Sequence, residues 1–276
     1  MTLPVPEEPG ITGFRSMVWE YYRTEGREFP WRDTRDPFAI FISEIMLQQT
    51  QTHRVLPKYT AFLEAFRSFS ALAAADLADV LSLWTGLGYN RRAKYLRDAA
   101  RIIMERFAGQ LPTDPAELQQ LPGVGPNTAG SLAAFVHDSP VVFIETNIRR
   151  VYLHYFFPDD GDVPDSKLLP LISETLDRQN PREWYYALMD LGVAVKAAVP
   201  NPNRRSRHYV RQAPFENSQR QLRGRVLRLV QQNPWTSLSE VAEQAGFPMM
   251  RVAQAVQALQ EEGFIEQRDG KIRIKG

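Results

Sequence analysis

Cysteine is absent from all 276 residues. Its absence excludes disulfides, thiolate zinc sites, cysteine nucleophiles and thiolate-ligated iron–sulfur clusters together. No run of eighteen apolar residues occurs, and no basic-then-apolar leader opens the chain, so neither membrane spanning nor secretion is expected. Net charge is also nearly absent: 33 Lys+Arg against 32 Asp+Glu leaves +1, so the total identifies no partner. The four histidines (His53, His137, His154 and His208) are scattered and read as structural or solvent-facing. No glycine-rich nucleotide loop or metal-binding cluster competes for the role of active site.

What is present is a chain of ordinary globular composition, 43% hydrophobic and 24% charged, long enough for one large domain or two smaller ones. Residues 1–13 read as a loose lead-in. Apolar residues at helical spacing then mark helices over Phe14–Arg23, Phe38–Gln49, Val55–Phe66, Leu77–Trp84, Tyr89–Phe107, Pro115–Gln120, Pro126–Val136, Ile148–Phe156, Lys167–Arg178 and Arg182–Ala198. Val141–Phe143 is a candidate short strand. The acidic stretch Asp159–Asp165 reads as a solvated loop.

Charge is unevenly spread. Between Lys196 and Arg228 lie nine basic residues and one acid, Glu216. Such a segment either attracts a polyanion through paired arginine donors or is simply a solvated linker. Residues 200–219 are read as that basic linker. Beyond it, three helical stretches (Gln221–Gln231, Leu238–Ala245 and Met249–Gln260) precede strands Phe264–Gln267 and Lys271–Ile274 around Asp269-Gly270, a hairpin signature. Residues 220–276 are thus expected to form a winged helix-turn-helix. Its third helix would occupy the recognition position but carries one basic group, Arg251, so either DNA or a protein partner fits.

Three sequence blocks carry chemistry. In Leu121-Pro-Gly-Val-Gly-Pro-Asn-Thr-Ala-Gly130, Gly123 and Gly125 permit a tight turn and Pro126 suits the first position of a helix. Amides at such a turn suit a phosphate, although a plain helix–helix turn has the same signature. Glu44 lies in Ser43-Glu-Ile-Met-Leu-Gln-Gln-Thr-Gln51, amid apolar positions 42, 45 and 46. Apolar surroundings raise a carboxyl pKa toward general-acid range, whereas most glutamates are merely exposed. Glu145 follows Val141-Val-Phe-Ile144 at the start of a helix, where it serves as a cap or as a functional anion.

Taken in order, Phe29-Pro-Trp-Arg32, the Ser43–Gln51 block, Gly86-Leu-Gly-Tyr89, Leu121-Pro-Gly-Val-Gly125, Thr128-Ala-Gly130, Asn147-Ile-Arg-Arg-Val151 and Met189-Asp-Leu-Gly192 closely resemble the adenine DNA glycosylase (MutY) family. That family belongs to the helix-hairpin-helix base-excision glycosylases, and the resemblance covers about residues 14–196. It implies a mostly α, two-lobed helix-hairpin-helix glycosylase fold over 14–199, with one lobe at 38–142 and the other at 14–37 plus 143–199. It implies a target nucleotide flipped out of the duplex. Glu44 matches the acid that protonates the adenine ring, and Glu145 the anion that stabilises the sugar cation or links to it transiently. Arg32, Asn127, Asn147 and Asp190 match positions near the flipped base. Gln49, Leu87 and Tyr89 match residues that wedge into the duplex. Gly123, Gly125 and Thr128 match backbone-gripping positions, and the carbonyls of Gln119, Leu121 and Val124 match a monovalent cation site for Na+ or K+.

The chain also departs from the family. Glu145-Thr146 replaces Asp-Gly, and a displacement of about 1 Å at such a carboxylate can cost on the order of a hundredfold in rate. Asn127 stands where bifunctional relatives carry lysine, so a monofunctional enzyme is expected. Lys196 stands where the first cluster cysteine would fall, so no iron–sulfur cluster and no other required cofactor is expected. Arg204, Arg205 and Arg207 could supply backbone-binding charge in its place. The winged helix replaces a Nudix-like domain. The resemblance implies a monomeric, cytoplasmic, bacterial-type, nucleoid-associated repair enzyme with no membrane association. Its substrate would be double-stranded DNA bearing a lesion or mismatch, with adenine excised opposite 8-oxoguanine or guanine. Hypoxanthine, uracil or mismatched thymine are alternative targets, and a non-catalytic DNA-binding protein is a third reading.

Overall fold

A computed structural model describes residues 3–211 and 214–276; residues 1–2 of the lead-in and 212–213 of the expected linker lie outside the described residues. In chain order the helices are α1 (Gly10–Glu25), α2 (Pro30–Asp33), α3 (Pro37–Leu47), α4 (Thr52–Ala65), α5 (Phe69–Ala74), α6 (Leu77–Trp84), α7 (Arg91–Arg106), α8 (Pro115–Leu118), α9 (Pro126–His137), α10 (Thr146–Tyr155), α11 (Asp165–Thr175) and α12 (Pro181–Ala198). A 3-10 turn, Pro202–Arg205, leads to α13 (Gln219–Gln232), β1 (Thr236–Ser237), α14 (Leu238–Ala245), α15 (Met249–Glu261), β2 (Ile265–Arg268) and β3 (Lys271–Ile274). The mostly helical expectation holds. Two short helices, α2 and α5, were not anticipated; the Ser68 hydroxyl caps α5 by accepting from the Ala71 amide.

The described residues divide into two units. The first comprises Met1–Ile40, Thr113–Gln119 and Val124–Arg211. Its core is aromatic: Phe14 packs against Tyr152 and Trp184, and Phe143 against Tyr185 with ring centroids 4.2 Å apart. The lobe boundary expected at 142 falls instead before Val124, so α9 belongs with α10 and α12. Side-chain packing explains this. A Cβ on Gly130 would sit 2.5 Å from that of Phe143, and Phe135 stacks on Tyr186 at 4.5 Å. Val141–Phe143, the candidate strand, is an irregular strap, with the Val141 carbonyl accepting from the Tyr185 hydroxyl.

The expected linker is partly folded. Pro202, Asn203 and Ser206 are buried, and Val163 and Ser206 form a β-bridge. Hydrogen bonds rather than apolar side chains hold the segment: Asn203 donates to the Thr146 carbonyl at 3.0 Å, and the Arg207 amide to the Val163 carbonyl at 3.0 Å. A hydropathy pattern cannot register contacts of that kind.

The second unit comprises Phe41–Pro112, Gln120–Gly123 and Gln212–Gly276. Phe62 and Trp84 are fully buried, and α7 contributes Leu96, Ala99, Ala100 and Ile103 to the core. The C-terminal helices and strands have winged-helix order, with strands arranged β1-β3-β2 and both pairings antiparallel. Asp269 and Gly270 have φ of 50° and 75°, the left-handed turn their sequence predicts. The winged helix is not set apart behind a linker. Gln231 donates to the Ala78 carbonyl at 2.8 Å, and Glu262 receives Arg91 from α7 and Arg223 from α13.

Candidate active site

Glu44 lies on α3 among side chains that the sequence marks as apolar. Ile42, Ile45 and Met46 are buried, Ser43 is buried beside it, and Glu44 is half-buried. A carboxyl held there on a regular helix has a fixed direction of approach, which a general acid requires.

The end of α3 is fastened by a residue that sequence reasoning missed. The buried Arg92 donates to the carbonyls of Ile45 and Met46, each at 2.9 Å, and reaches the Thr50 hydroxyl and the Gly88 carbonyl. A cation at a helix C-terminus meets the negative end of the helix dipole. The same guanidinium therefore ties Glu44's helix to the 86–89 loop. Desolvation lowers its pKa to about 10. No periodicity signals such a role, because its partners at the end of α3 lie more than forty positions away.

Gln49, Leu87 and Tyr89 fall in the same unit. Gln49 is exposed, and it and Tyr89 have left-handed backbones, with φ of 55° and 49°. Such conformations in non-glycine residues are uncommon and concentrate at functional sites. Leu87, expected to wedge into a duplex, is only 2% exposed in this structure. Tyr89 is half-buried, and its hydroxyl accepts from Arg220 of α13 at 2.6 Å. Gln48 donates to the Gly123 carbonyl at 3.0 Å, joining the end of the Glu44 block to the hairpin turn. Gly123 itself has φ +80°, and a Cβ there would meet Tyr95 at 3.0 Å.

In the first unit, Glu145 is the N-cap of α10. One carboxylate oxygen accepts from the amides of Asn147 and Ile148 at 2.7 and 2.8 Å, and the other from the Asn147 side-chain amide at 3.2 Å. Burial pushes the Glu145 carboxyl above its ordinary range, opposed by those two amides and by Arg150 and Arg149. Asn147 in turn accepts from Arg150 at 2.7 Å, and Arg150 donates to the Gly192 carbonyl at 2.8 Å. Gly192 has no room for a side chain: a Cβ would lie 2.5 Å from the Asn147 carbonyl oxygen. Glu145, Asn147, Arg150 and Gly192 thus form one connected brace between α10 and α12.

Arg32 and Asp190 are brought together as an ion pair. Two parallel hydrogen bonds of 2.8 Å join them, and Arg27 adds its backbone amide and Nε at 2.8 Å each. The Asp190 side chain is 1% exposed, and the Arg32 guanidinium lies 4.5 Å from the Tyr186 ring centroid. With both carboxylate oxygens engaged, Asp190 braces the 27–32 segment against α12. Arg182, another buried cation absent from the expected set, holds the carbonyls of Phe135, Arg32 and Thr34.

The remaining expected residues are placed as follows. Gly125 is the N-cap of α9, Asn127 is exposed in its first turn, and the Thr128 carbonyl accepts from Ser131. Gln119 closes α8, whereas Leu121 and Val124 are buried. Of the three arginines expected to grip a phosphate backbone, Arg204 is exposed. Arg205 instead donates to the carbonyls of Pro158 and Leu153, and Arg207 pairs with Asp162. Local partners therefore occupy two of the three guanidiniums, and a carboxylate offsets the charge of Arg207. Among the described residues no group of three or more His, Asp or Glu could hold a metal ion.

Comparison with known proteins agrees with this architecture. Residues 42–169 match the HhH-GPD superfamily base excision DNA repair protein model, and residues 219–266 match a winged helix-turn-helix DNA-binding model. The adenine DNA glycosylase of Mus musculus is 35% identical over 199 residues, covering 67% of this chain and 38% of the mouse protein. That of Mycobacterium tuberculosis (strain H37Rv) is 36% identical over 202 residues, covering 69% of this chain and 66% of the relative. The structure of a thermostable thymine-DNA glycosylase superposes with a TM-score of 0.59 at 24% identity, over 66% of this chain and 85% of that one, a likeness of fold. Motif order, helical architecture and these matches together establish that the chain belongs to the HhH-GPD superfamily of base excision DNA repair proteins, as a relative of the adenine DNA glycosylases.

Proposed function

We propose that this protein is a monofunctional DNA glycosylase of base excision repair that hydrolyses the N-glycosidic bond of mispaired adenine opposite 8-oxoguanine or guanine. The observation that carries the reading is Glu44: a half-buried carboxyl on a regular helix, within the Ser43–Gln51 block, in a chain about 35% identical to proteins named adenine DNA glycosylase. Glu44 donates a proton to the departing base, and protonation makes the purine a leaving group. Glu145 supplies negative charge toward the sugar cation, dividing acid and anion roles between two carboxylates as in glycoside hydrolysis. Asn127 offers no amine for a Schiff base, which supports hydrolysis without strand cleavage.

The substrate is double-stranded DNA with a lesion or mismatch, and the enzyme acts as a monomer in the cytoplasm at the nucleoid. No described helix is long and apolar enough to cross a membrane. An iron–sulfur cluster does not fit the side chains present, because the sequence has no thiolate to ligate it. The folded 201–207 segment braces that region with hydrogen bonds instead. The carbonyls of Gln119, Leu121 and Val124 are candidates for a Na+ or K+ ion that would steady the hairpin.

The test is a panel of labelled duplexes containing adenine opposite 8-oxoguanine, guanine or thymine, together with hypoxanthine, uracil and thymine opposite guanine. Alkali-dependent scission at adenine opposite 8-oxoguanine is expected. Cleavage confined to another member of the panel would transfer the activity to that base, and binding without cleavage would remove the enzymatic reading.

A further inference from the structure

Within the second unit, a cavity of about 890 Å3 lies between α13 and the 85–92 loop, lined also by Gln48, Gln49 and Arg54. This is at the upper end of the roughly 300–1,000 Å3 typical of small-molecule pockets. Its lining includes six arginines (Arg54, Arg91, Arg92, Arg220, Arg223 and Arg228) and, among the described residues, no carboxylate. A concave surface with that charge selects a polyanion.

The α13 side of the cavity is one helical face. Positions 220, 223, 224, 227, 228 and 231 line it, at the spacing that places residues in a single stripe. Arg228 is exposed, Arg223 is oriented by Glu262, and Arg220 is oriented by the Tyr89 hydroxyl. Aromatic surface is available beside these charges: Phe215 is 59% exposed, and the guanidiniums of Arg220 and Arg92 lie 5.5 and 5.6 Å from the Tyr89 ring centroid. Guanidiniums for phosphates beside aromatic faces and side-chain amides for bases are the combination that holds a nucleic-acid strand.

The third helix of the winged domain is far less suited. α15 carries one basic residue, Arg251, whose guanidinium donates to the Asn217 carbonyl and lies 5.1 Å from the Phe247 ring centroid. Its exposed start is Met249 and Met250.

We propose that α13 and the 85–92 loop form a composite DNA-binding cleft, so that the winged domain grips the sugar–phosphate backbone through its first helix rather than its third. The proposal rests on the DNA-directed function above. In it, Arg220 and Arg228 each neutralise a phosphate, and Tyr89 and Phe215 lie beside an unstacked base.

The full-length protein is titrated into a fluorescein-labelled mismatch duplex across a range of NaCl concentrations. R228E, a substitution at an exposed position, is expected to weaken binding about tenfold. R220A/R228A should flatten the log–log salt dependence by roughly 1.8, at about 0.9 per phosphate contact. The α15 variant M250S/R251A should leave affinity and slope unchanged. Since the chain lacks cysteine, F215C or M250C introduces a unique thiol for disulfide capture of a duplex carrying a tethered thiol. Capture at F215C and not at M250C is expected. The reverse pattern, or an unaltered salt slope in both R228E and R220A/R228A, overturns the proposal while leaving the glycosylase reading intact. Failure of the unmodified protein to bind any duplex overturns both.

Discussion

Asn147 holds both oxygens of Glu145, one through its backbone amide at 2.7 Å and the other through its side-chain amide at 3.2 Å. The carboxylate is therefore at once the cap of α10 and a group of fixed direction, so the cap and the proposed anion share one geometry. Glu145→Gln would present an amide NH2 to the Asn147 donor and weaken the cap. A loss of about 1 kcal/mol in stability is expected, the usual scale for a disabled N-cap. Turnover should fall far more than that loss accounts for; turnover preserved in E145Q would confine Glu145 to capping.

Glu44 is the proposed proton donor, so Glu44→Gln should lower single-turnover excision by roughly a hundred- to ten-thousand-fold, the range general acids contribute. Duplex affinity should stay within a few-fold of the wild type, because the substitution preserves shape. Parallel loss of binding and excision would make Glu44 a structural residue.

Two glycines in helix interiors should respond in opposite directions. Gly192→Ala drives a methyl group against the Asn147 carbonyl, where a Cβ would have only 2.5 Å. It should cost about 1–3 kcal/mol by overpacking and disturb the Glu145 brace. Gly224 in α13 has nothing within 4 Å of its Cβ position. Gly224→Ala should stabilise by about 0.5–1 kcal/mol. Thermal melts of the two variants measure both effects, and destabilisation by G224A would show that α13 is packed more closely than the structure describes.

Glu262 gives the winged domain a pH-dependent fastening. Hydrogen bonds from Arg91 and Arg223 lower its pKa from the ordinary 4.5 to about 2. A depressed carboxyl stabilises the fold fully above its unfolded pKa, and that contribution disappears as pH falls through the folded one. The melting point of the wild type should exceed that of E262Q by about 1–3 °C at neutral pH, given the modest worth of partly exposed ion pairs. The gap should shrink between about pH 4.5 and 2. A gap independent of pH across that window would assign the effect to packing.

Much of this was legible in the sequence because it depends on neighbours. The face of α3 at 42, 45 and 46, the capping position of Glu145 and the Asp269-Gly270 turn are all local patterns, and the structure has them where they were expected. Long-range polar contacts were not legible. Arg92 binds carbonyls 44 to 47 positions away, and Arg32 meets Asp190 across 158. Burial reverses the usual meaning of such residues: a charged side chain reads as surface until its partners are known. Residues 200–219 read as linker for the same reason, since hydrogen bonds rather than apolar periodicity fold the 201–207 part of them. Among the candidate site residues, Leu87 is 2% exposed and Arg205 is held by the carbonyls of Leu153 and Pro158, neither of which a local pattern announces.

The second unit combines residues from Phe41–Pro112 with residues from Gln212–Gly276, so its two largest portions are separated along the chain by most of the first unit. During synthesis, α3 to α7 leave the ribosome long before α13 to α15 exist to bond to them. At roughly 5–20 residues per second, producing the last 65 residues takes about 3–13 s. Ala78, Tyr89 and Arg91 are therefore made early but gain their polar partners Gln231, Arg220 and Glu262 late.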